Sequence, residues 1–132
     1  MSDAITSYRA LALQTECHSV NAAASVEEAR ARIGASIDRI GVQLLASKGF
    51  IGPDLRLVVL PEYVLTGYPM GESPAEWIDK ACLAPDGPEY DQLGKVAADA
   101  DVWLCGNAYE TDAHFEGLYF QTCFTIAPSG EC

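Results

Sequence analysis

Apolar residues recur at steps of three and four in the first half of the chain, which predicts a long amphipathic helix. The apolar stripe consists of Val26, Ala29, Ile33, Ile37, Ile40 and Leu44. Ser25 with Glu28 three residues later matches a capping box, so we expect Ser25 to be the N-cap residue. Lys48 followed by Gly49 predicts the end of the helix, because a basic last turn and a glycine just beyond it both favour termination.

A second apolar run ends on a carboxylate. The unbroken run at residues 57–61 predicts a strand that is covered on both faces. Glu62 follows where this strand ends, and Gly67 and Pro69 predict a loop beyond it. Ligands of open α/β sheets bind outside the carboxyl ends of strands, so Glu62 is a candidate for acting on a substrate, and we expect its side chain to be buried there. The alternative is a solvated loop carboxylate that follows a strand by chance.

The other elements alternate between strands and helices. Strands are predicted at residues 8–14, 102–109 and 118–127, and helices at residues 74–81 and from Pro88 onward. The resulting order is β, α, β, α, α, β, β, without an internal repeat or a linker. This order predicts a single domain with an α/β layered fold.

The composition indicates which binding partners and which cellular compartment we expect for the protein. The 132 residues include 8 basic and 19 acidic residues, which gives a formal net charge of −11. A surface of this sign lacks the basic patches that bind nucleic acid or anionic membranes, so we expect neither partner. We find no membrane-spanning stretch and no signal peptide. Five widely spaced cysteines without a CxxC motif predict reduced thiols in the cytoplasm, with no metal and no other cofactor.

The end of the second apolar run also resembles a known motif. Leu60-Pro61-Glu62-Tyr63, followed by Thr66-Gly67-Tyr68, is similar to the first catalytic motif of the nitrilase superfamily, the carbon–nitrogen hydrolases. The predicted element order and the turn at residues 128–131 are similar to the N-terminal portion of that fold. The resemblance implies an α/β four-layer αββα sandwich. Residues 1–132 would then form an incomplete carbon–nitrogen hydrolase domain, with residues 1–7 as a flexible N-terminus.

The resemblance implies a hydrolase of non-peptide carbon–nitrogen bonds that works through a Glu-Lys-Cys triad and a thioester. Glu62 matches the general base of this triad. The family lysine follows the turn at residues 128–131 and the cysteine comes later, so neither Lys80 nor Lys95 matches. Cys105 and Cys123 lie inside predicted strands and are interpreted as buried small hydrophobic residues. We expect the 132-residue chain alone to have little or no amidase activity, because its triad is incomplete.

Three further residues are candidates for substrate binding through the same resemblance. Tyr63 and Tyr68 follow the catalytic motif where family members shape the substrate pocket, although packing against the sheet end explains them equally well. Glu110 ends the third predicted strand, close to Asn107 and Tyr109, in a region where the family often has a glutamate. The substrate is expected to be a small amide, with a nitrile or an N-carbamoyl compound as alternatives.

Two other interpretations remain open. Half of the family's strands are absent from this sequence, so one face of the sheet would expose aliphatic and aromatic side chains. The chain would then associate through that face, either as a homo-oligomer or as a catalytically dead truncated α/β module that binds a protein. In the other interpretation, Leu60-Pro61-Glu62 is a coincidence within an unrelated α/β binding domain.

Overall fold

A computed structural model describes residues 6–132 of the chain. The first five residues of the segment predicted to be flexible lie outside this range. Within it, the elements are β1 (Arg9–Ala12), α1 (Val26–Ile51), β2 (Leu55–Val59), α2 (Pro74–Ala81), α3 (Pro88–Ala100), β3 (Trp103–Thr111) and β4 (Tyr119–Ile126). This is the predicted order, and the α/β class is confirmed.

The long helix α1 begins as predicted. The Ser25 hydroxyl accepts a hydrogen bond from the Glu28 N–H at 3.1 Å, which is the geometry of an N-cap residue. The apolar stripe is buried from Ala29 to Leu44, whereas Val26 in the first turn is exposed. The stripe from Ala29 to Leu44 therefore belongs to the hydrophobic core.

The end of α1 lies three residues beyond Lys48. Gly49 is inside the helix, and Gly52, with a φ of 124°, is the residue that ends it. The additional residues include Ile51, which packs against the core. The predicted end at Gly49 is wrong because this tertiary contact outweighs the modest cost of a glycine within a helix.

The four strands form one sheet in the order β1-β2-β3-β4. β1 pairs with β2 and β2 pairs with β3 in parallel, while β3 and β4 form an antiparallel hairpin. Each parallel pair is connected through helices, α1 in the first case and α2 with α3 in the second. The C-terminal end of β2 is therefore an interior position of the sheet, beside β3.

The helices cover one face of the sheet and leave the other face open. Val58, Leu104 and Ile126 are fully buried on the helical face. Their neighbours along the strands, Val59 and Trp103, are 44% and 48% exposed. The prediction that the strand at residues 57–61 is covered on both faces is wrong, because Val59, whose side chain lies on the face away from Val58, is 44% exposed.

We predict that substitutions at two adjacent positions of β3 will have unequal costs. Leu104→Ala is expected to lower the free energy of unfolding by about 2–5 kcal/mol, because it removes a fully buried side chain. Trp103→Ala is the matched control on the open face and is expected to cost much less. Urea denaturation followed by circular dichroism measures both. Equal losses would show that the open face is packed in solution.

Candidate active site

Glu62 lies just beyond the C-terminal end of β2, and the sheet determines its position. The Leu60 N–H donates to the Cys105 carbonyl at 2.8 Å, which extends the pairing with β3 up to the turn. The Glu62 carboxylate then accepts a hydrogen bond from the Gln121 side-chain amide of β4 at 3.0 Å. The structure leaves Glu62 exposed, contrary to the expected burial, because it lies at the open face of the sheet.

Tyr63 makes a sharp turn directly after Glu62. Its φ of 57° is in the left-handed region, which is uncommon for a residue with a bulky side chain. Its N–H donates to Asn107 Oδ1 at 3.0 Å. Its carbonyl accepts from the Gly67 N–H at 2.8 Å and from the Cys17 thiol at 3.2 Å. Both the N–H and the carbonyl of Tyr63 therefore form hydrogen bonds within the protein.

An aromatic cluster of Tyr63, Tyr68, Trp77, Tyr109 and Tyr119 lies next to this turn. The Tyr63 ring stacks on the Tyr109 ring, with centroids 5.5 Å apart and planes 11° apart. Trp77 and Tyr119 each meet Tyr109 edge to face at 5.6 Å. Tyr68 is 6.0 Å from Tyr63 and is 55% exposed. The cluster thus runs from the buried Trp77 to solvent beside the carboxylate.

Tyr109 remains a hydrogen-bond donor at any physiological pH. Burial is the main cause that raises the pKa of its phenol far above the usual value. The hydrogen bond with Tyr63 and the negative charge of Glu62 act in the same direction. The Tyr109 phenol therefore stays neutral and lies close enough to Glu62 for the carboxylate charge to affect its pKa.

Glu110 lies on the opposite face of β3 from Tyr109. Its carboxylate accepts a hydrogen bond from the Tyr90 hydroxyl of α3, and burial together with this carboxylate raises the pKa of Tyr90. The structure therefore places the Tyr68 ring beside that of Tyr63, the residue after Glu62, and places Glu110 on the helical face against Tyr90.

Sequence reasoning did not identify Gln121 and Tyr119 as neighbours of the site. Gln121 pairs with Tyr109 in the antiparallel register, and Tyr119 pairs with Thr111. The alternation of side chains along β4 could have placed both on one face. Their alignment with β3 depends on the hairpin register, and the long connection between the strands does not reveal it.

Burial raises the pKa of two of the thiols, which disfavours their nucleophilic thiolate form. Burial raises the pKa of Cys82 to about 12, although Arg30 opposes this effect. Burial also raises the pKa of Cys17. Cys105 is half-buried and Cys123 is exposed. The interpretation of these two as buried residues is wrong, because both lie on the open face of the sheet.

Within residues 6–132, no group of three or more His, Cys, Asp or Glu side chains is arranged to hold a metal ion. No helix of the described part of the chain has an apolar stretch long enough to cross a membrane.

We predict that Gly67→Ala will destabilise the loop that follows Glu62. Gly67 has a φ of 74°, and an added Cβ would lie 2.8 Å from the Ser19 Cβ. We expect a loss of about 1–3 kcal/mol in the free energy of unfolding. Gly49→Ala is the control, since the space around that helical glycine is open, and it should be neutral or stabilising. Thermal melting measures both; a Gly67→Ala variant as stable as wild type would contradict the described turn.

Comparisons with known proteins agree with this geometry. The model of the carbon–nitrogen hydrolase family matches residues 8–132. The crystal structure of Saccharomyces cerevisiae Nit3, a member of branch 10 of the nitrilase superfamily, matches with a TM-score of 0.59 and 19% identity. That match covers 75% of this chain and 36% of Nit3, so the alignment spans about a third of its solved relative.

No curated protein matches the sequence. The structural match confirms the nitrilase type of α/β fold. The family match extends over nearly all of the sequence. The chain belongs to the carbon–nitrogen hydrolase family.

Proposed function

We propose that this chain supplies the general base of an enzyme that hydrolyses non-peptide carbon–nitrogen bonds, and that Glu62 is this base. The observation that supports the proposal most is the position of the carboxylate. It lies beyond the C-terminal end of an interior parallel strand, where α/β sheets bind ligands. Gln121 holds one carboxylate oxygen at 3.0 Å, and the exposed carboxylate is accessible to a reacting group.

The proposed reaction needs two partners for Glu62. The carboxylate would accept the proton of a cysteine thiol, and the thiolate would attack the amide carbon. The protonated Glu62 would give this proton to the leaving nitrogen as the carbon–nitrogen bond breaks, so that ammonia or an amine leaves. Glu62 would then take a proton from water, whose oxygen hydrolyses the thioester to the acid, and return that proton to the thiolate. A lysine would stabilise the oxyanion of each tetrahedral intermediate.

We propose that the lysine and the cysteine come from outside residues 6–132. Lys80 donates to the Ala23 carbonyl, and Lys95 forms an ion pair with Asp99 one turn away on α3. Both lysines belong to the helical layer, and the open face carries Glu62. The raised pKa values of Cys82 and Cys17 likewise argue against a nucleophilic role for these two thiols.

The substrate class that we propose is a small-molecule amide, with nitriles and N-carbamoyl compounds as alternatives. Tyr63 directly follows Glu62, and the Tyr68 ring lies 6.0 Å from the Tyr63 ring, so both would contact the substrate from one side. The net charge of −11 is the reason for proposing neither nucleic acid nor a membrane as partner. We further propose a cytoplasmic location, in keeping with five free cysteines.

A second candidate function is association through the open sheet face, without catalysis. Val59 and Trp103 are 44% and 48% exposed there, which is unusual for large apolar residues of a sheet. This face would bind a second copy of the chain or another protein. Sedimentation of wild type and Trp103→Lys tests it, since a lysine would disrupt an apolar interface.

Glu62→Gln in the longest natural product of the gene tests the first proposal. The substitution keeps the shape of the side chain and removes its basicity. We expect amide hydrolysis, measured as ammonia release, to fall by about 10²–10⁴-fold with little change in KM. Glu116→Gln makes the same chemical change on the exposed hairpin tip and should retain activity.

Two outcomes would contradict the proposal. Retained hydrolysis by a folded Glu62→Gln protein would exclude Glu62 as the base. The absence of hydrolysis in the wild type, combined with self-association that Trp103→Lys abolishes, would instead favour the second candidate function.

A further inference from the structure

We infer that Asn107 is a positioning residue, which anchors the turn from which the Glu62 carboxylate projects. The structural part of this inference stands by itself. Its consequence for catalysis rests on the proposed function of Glu62.

Asn107 is an unusual residue for the interior of a strand. It is 8% exposed and is one of three buried polar residues in the described range, with Ser36 and Thr66. A buried amide side chain is costly unless it forms hydrogen bonds. The Oδ1 atom of Asn107 accepts one from the Tyr63 N–H at 3.0 Å, so this residue links the middle of β3 to the loop beyond β2.

Tyr63 adopts a conformation that requires such support. A tyrosine with a φ of 57° is in a sparsely populated region of backbone conformation. Conformations of this kind persist when the surroundings impose them, and they concentrate at functional sites. The Tyr63 carbonyl accepts hydrogen bonds from Gly67 and Cys17, which lie in loops, whereas its N–H donates to Asn107 in the sheet.

The N–H that Asn107 holds belongs to the peptide bond between Glu62 and Tyr63. A peptide unit is planar, so an acceptor fixed to its N–H also restricts the α-carbon of Glu62. The carboxylate at the end of the Glu62 side chain accepts a hydrogen bond from the Gln121 side-chain amide at 3.0 Å. Two side-chain amides on adjacent strands therefore restrain Glu62: Asn107 acts through the N–H of the following residue, Tyr63, and Gln121 acts directly on the carboxylate.

A matched pair of variants separates the acceptor oxygen from the volume of the side chain. Asn107→Asp keeps an oxygen that can accept from the Tyr63 N–H. Asn107→Leu has a similar size and removes it. Ser36→Ala removes another buried polar group, in α1, and controls for a general effect on stability.

The first readout is NMR of the 132-residue chain. In wild type we expect a through-hydrogen-bond coupling between the Tyr63 nitrogen and Asn107 Cγ, and left-handed Cα and Cβ shifts for Tyr63. In Asn107→Leu we expect these shifts to change and the Tyr63 amide to exchange at least about 10-fold faster. Asn107→Asp and Ser36→Ala should retain the wild-type shifts.

The inference is overturned if Asn107→Leu leaves the shifts and the exchange of Tyr63 unchanged. If Asn107→Leu does not fold, the test is the through-hydrogen-bond coupling between the Tyr63 nitrogen and Asn107 Cγ in wild type. Absence of this coupling would also overturn the inference.

The second readout is the activity of the longest natural product. A displacement of a catalytic group by about 1 Å costs roughly 10²-fold, so we expect Asn107→Leu to lower kcat by about 10–100-fold and to leave KM within about threefold. If Glu62→Gln is inactive but Asn107→Leu keeps full kcat, the positioning inference fails. If Asn107→Leu loses the turn and Glu62→Gln stays active, the anchoring stands and the proposed function fails.

Discussion

The parallel pairing of β2 with β3 is the interaction on which the site depends. It continues past the last residue of β2, because the Leu60 N–H still donates to the Cys105 carbonyl at 2.8 Å. The next residue that bonds to β3 is Tyr63, through Asn107. Glu62 lies between these two attachments, so β3 determines where its carboxylate emerges.

One-sided burial of the sheet links the fold to the chemistry. On the helical face the chain buries a continuous apolar core, which includes Leu104 and Ile126. On the other face the side chains of Trp103 and Val59 are about half exposed, and Glu62 is also exposed to solvent. A partner layer on this face would bury the apolar side chains and exclude water from the carboxylate. The two proposed functions, catalysis and association, would therefore use the same surface.

Much of this architecture follows from local sequence patterns. The apolar stripe of α1, its Ser25 cap and the strand that precedes Glu62 are each determined by residues close together in sequence. The structure contains the cap, the stripe buried from Ala29 to Leu44, and the strand at Leu55–Val59. The resemblance of the segment around Glu62 identified the family. The later end of α1 could not be predicted in this way, because it depends on a distant contact of Ile51 with the core.

The surroundings of Glu62 were harder to predict for the same physical reason. Gln121 reaches the carboxylate only in one register of the β3–β4 hairpin, and register depends on pairing between distant residues. The left-handed conformation of Tyr63 has no sequence signal of its own, because tyrosine does not favour it. The openness of one sheet face is likewise a property of the packed layers and not of any single strand.

Sequencing the native gene beyond codon 132 tests the central claim most directly, because a Glu-Lys-Cys triad requires residues that the described chain does not provide. We expect the reading frame to continue into a basic stretch with a lysine, and later to encode a cysteine that follows a strand. A stop codon directly after Cys132 would contradict the claim that Glu62 acts in such a triad. Association through the open face would then be the better account of the protein.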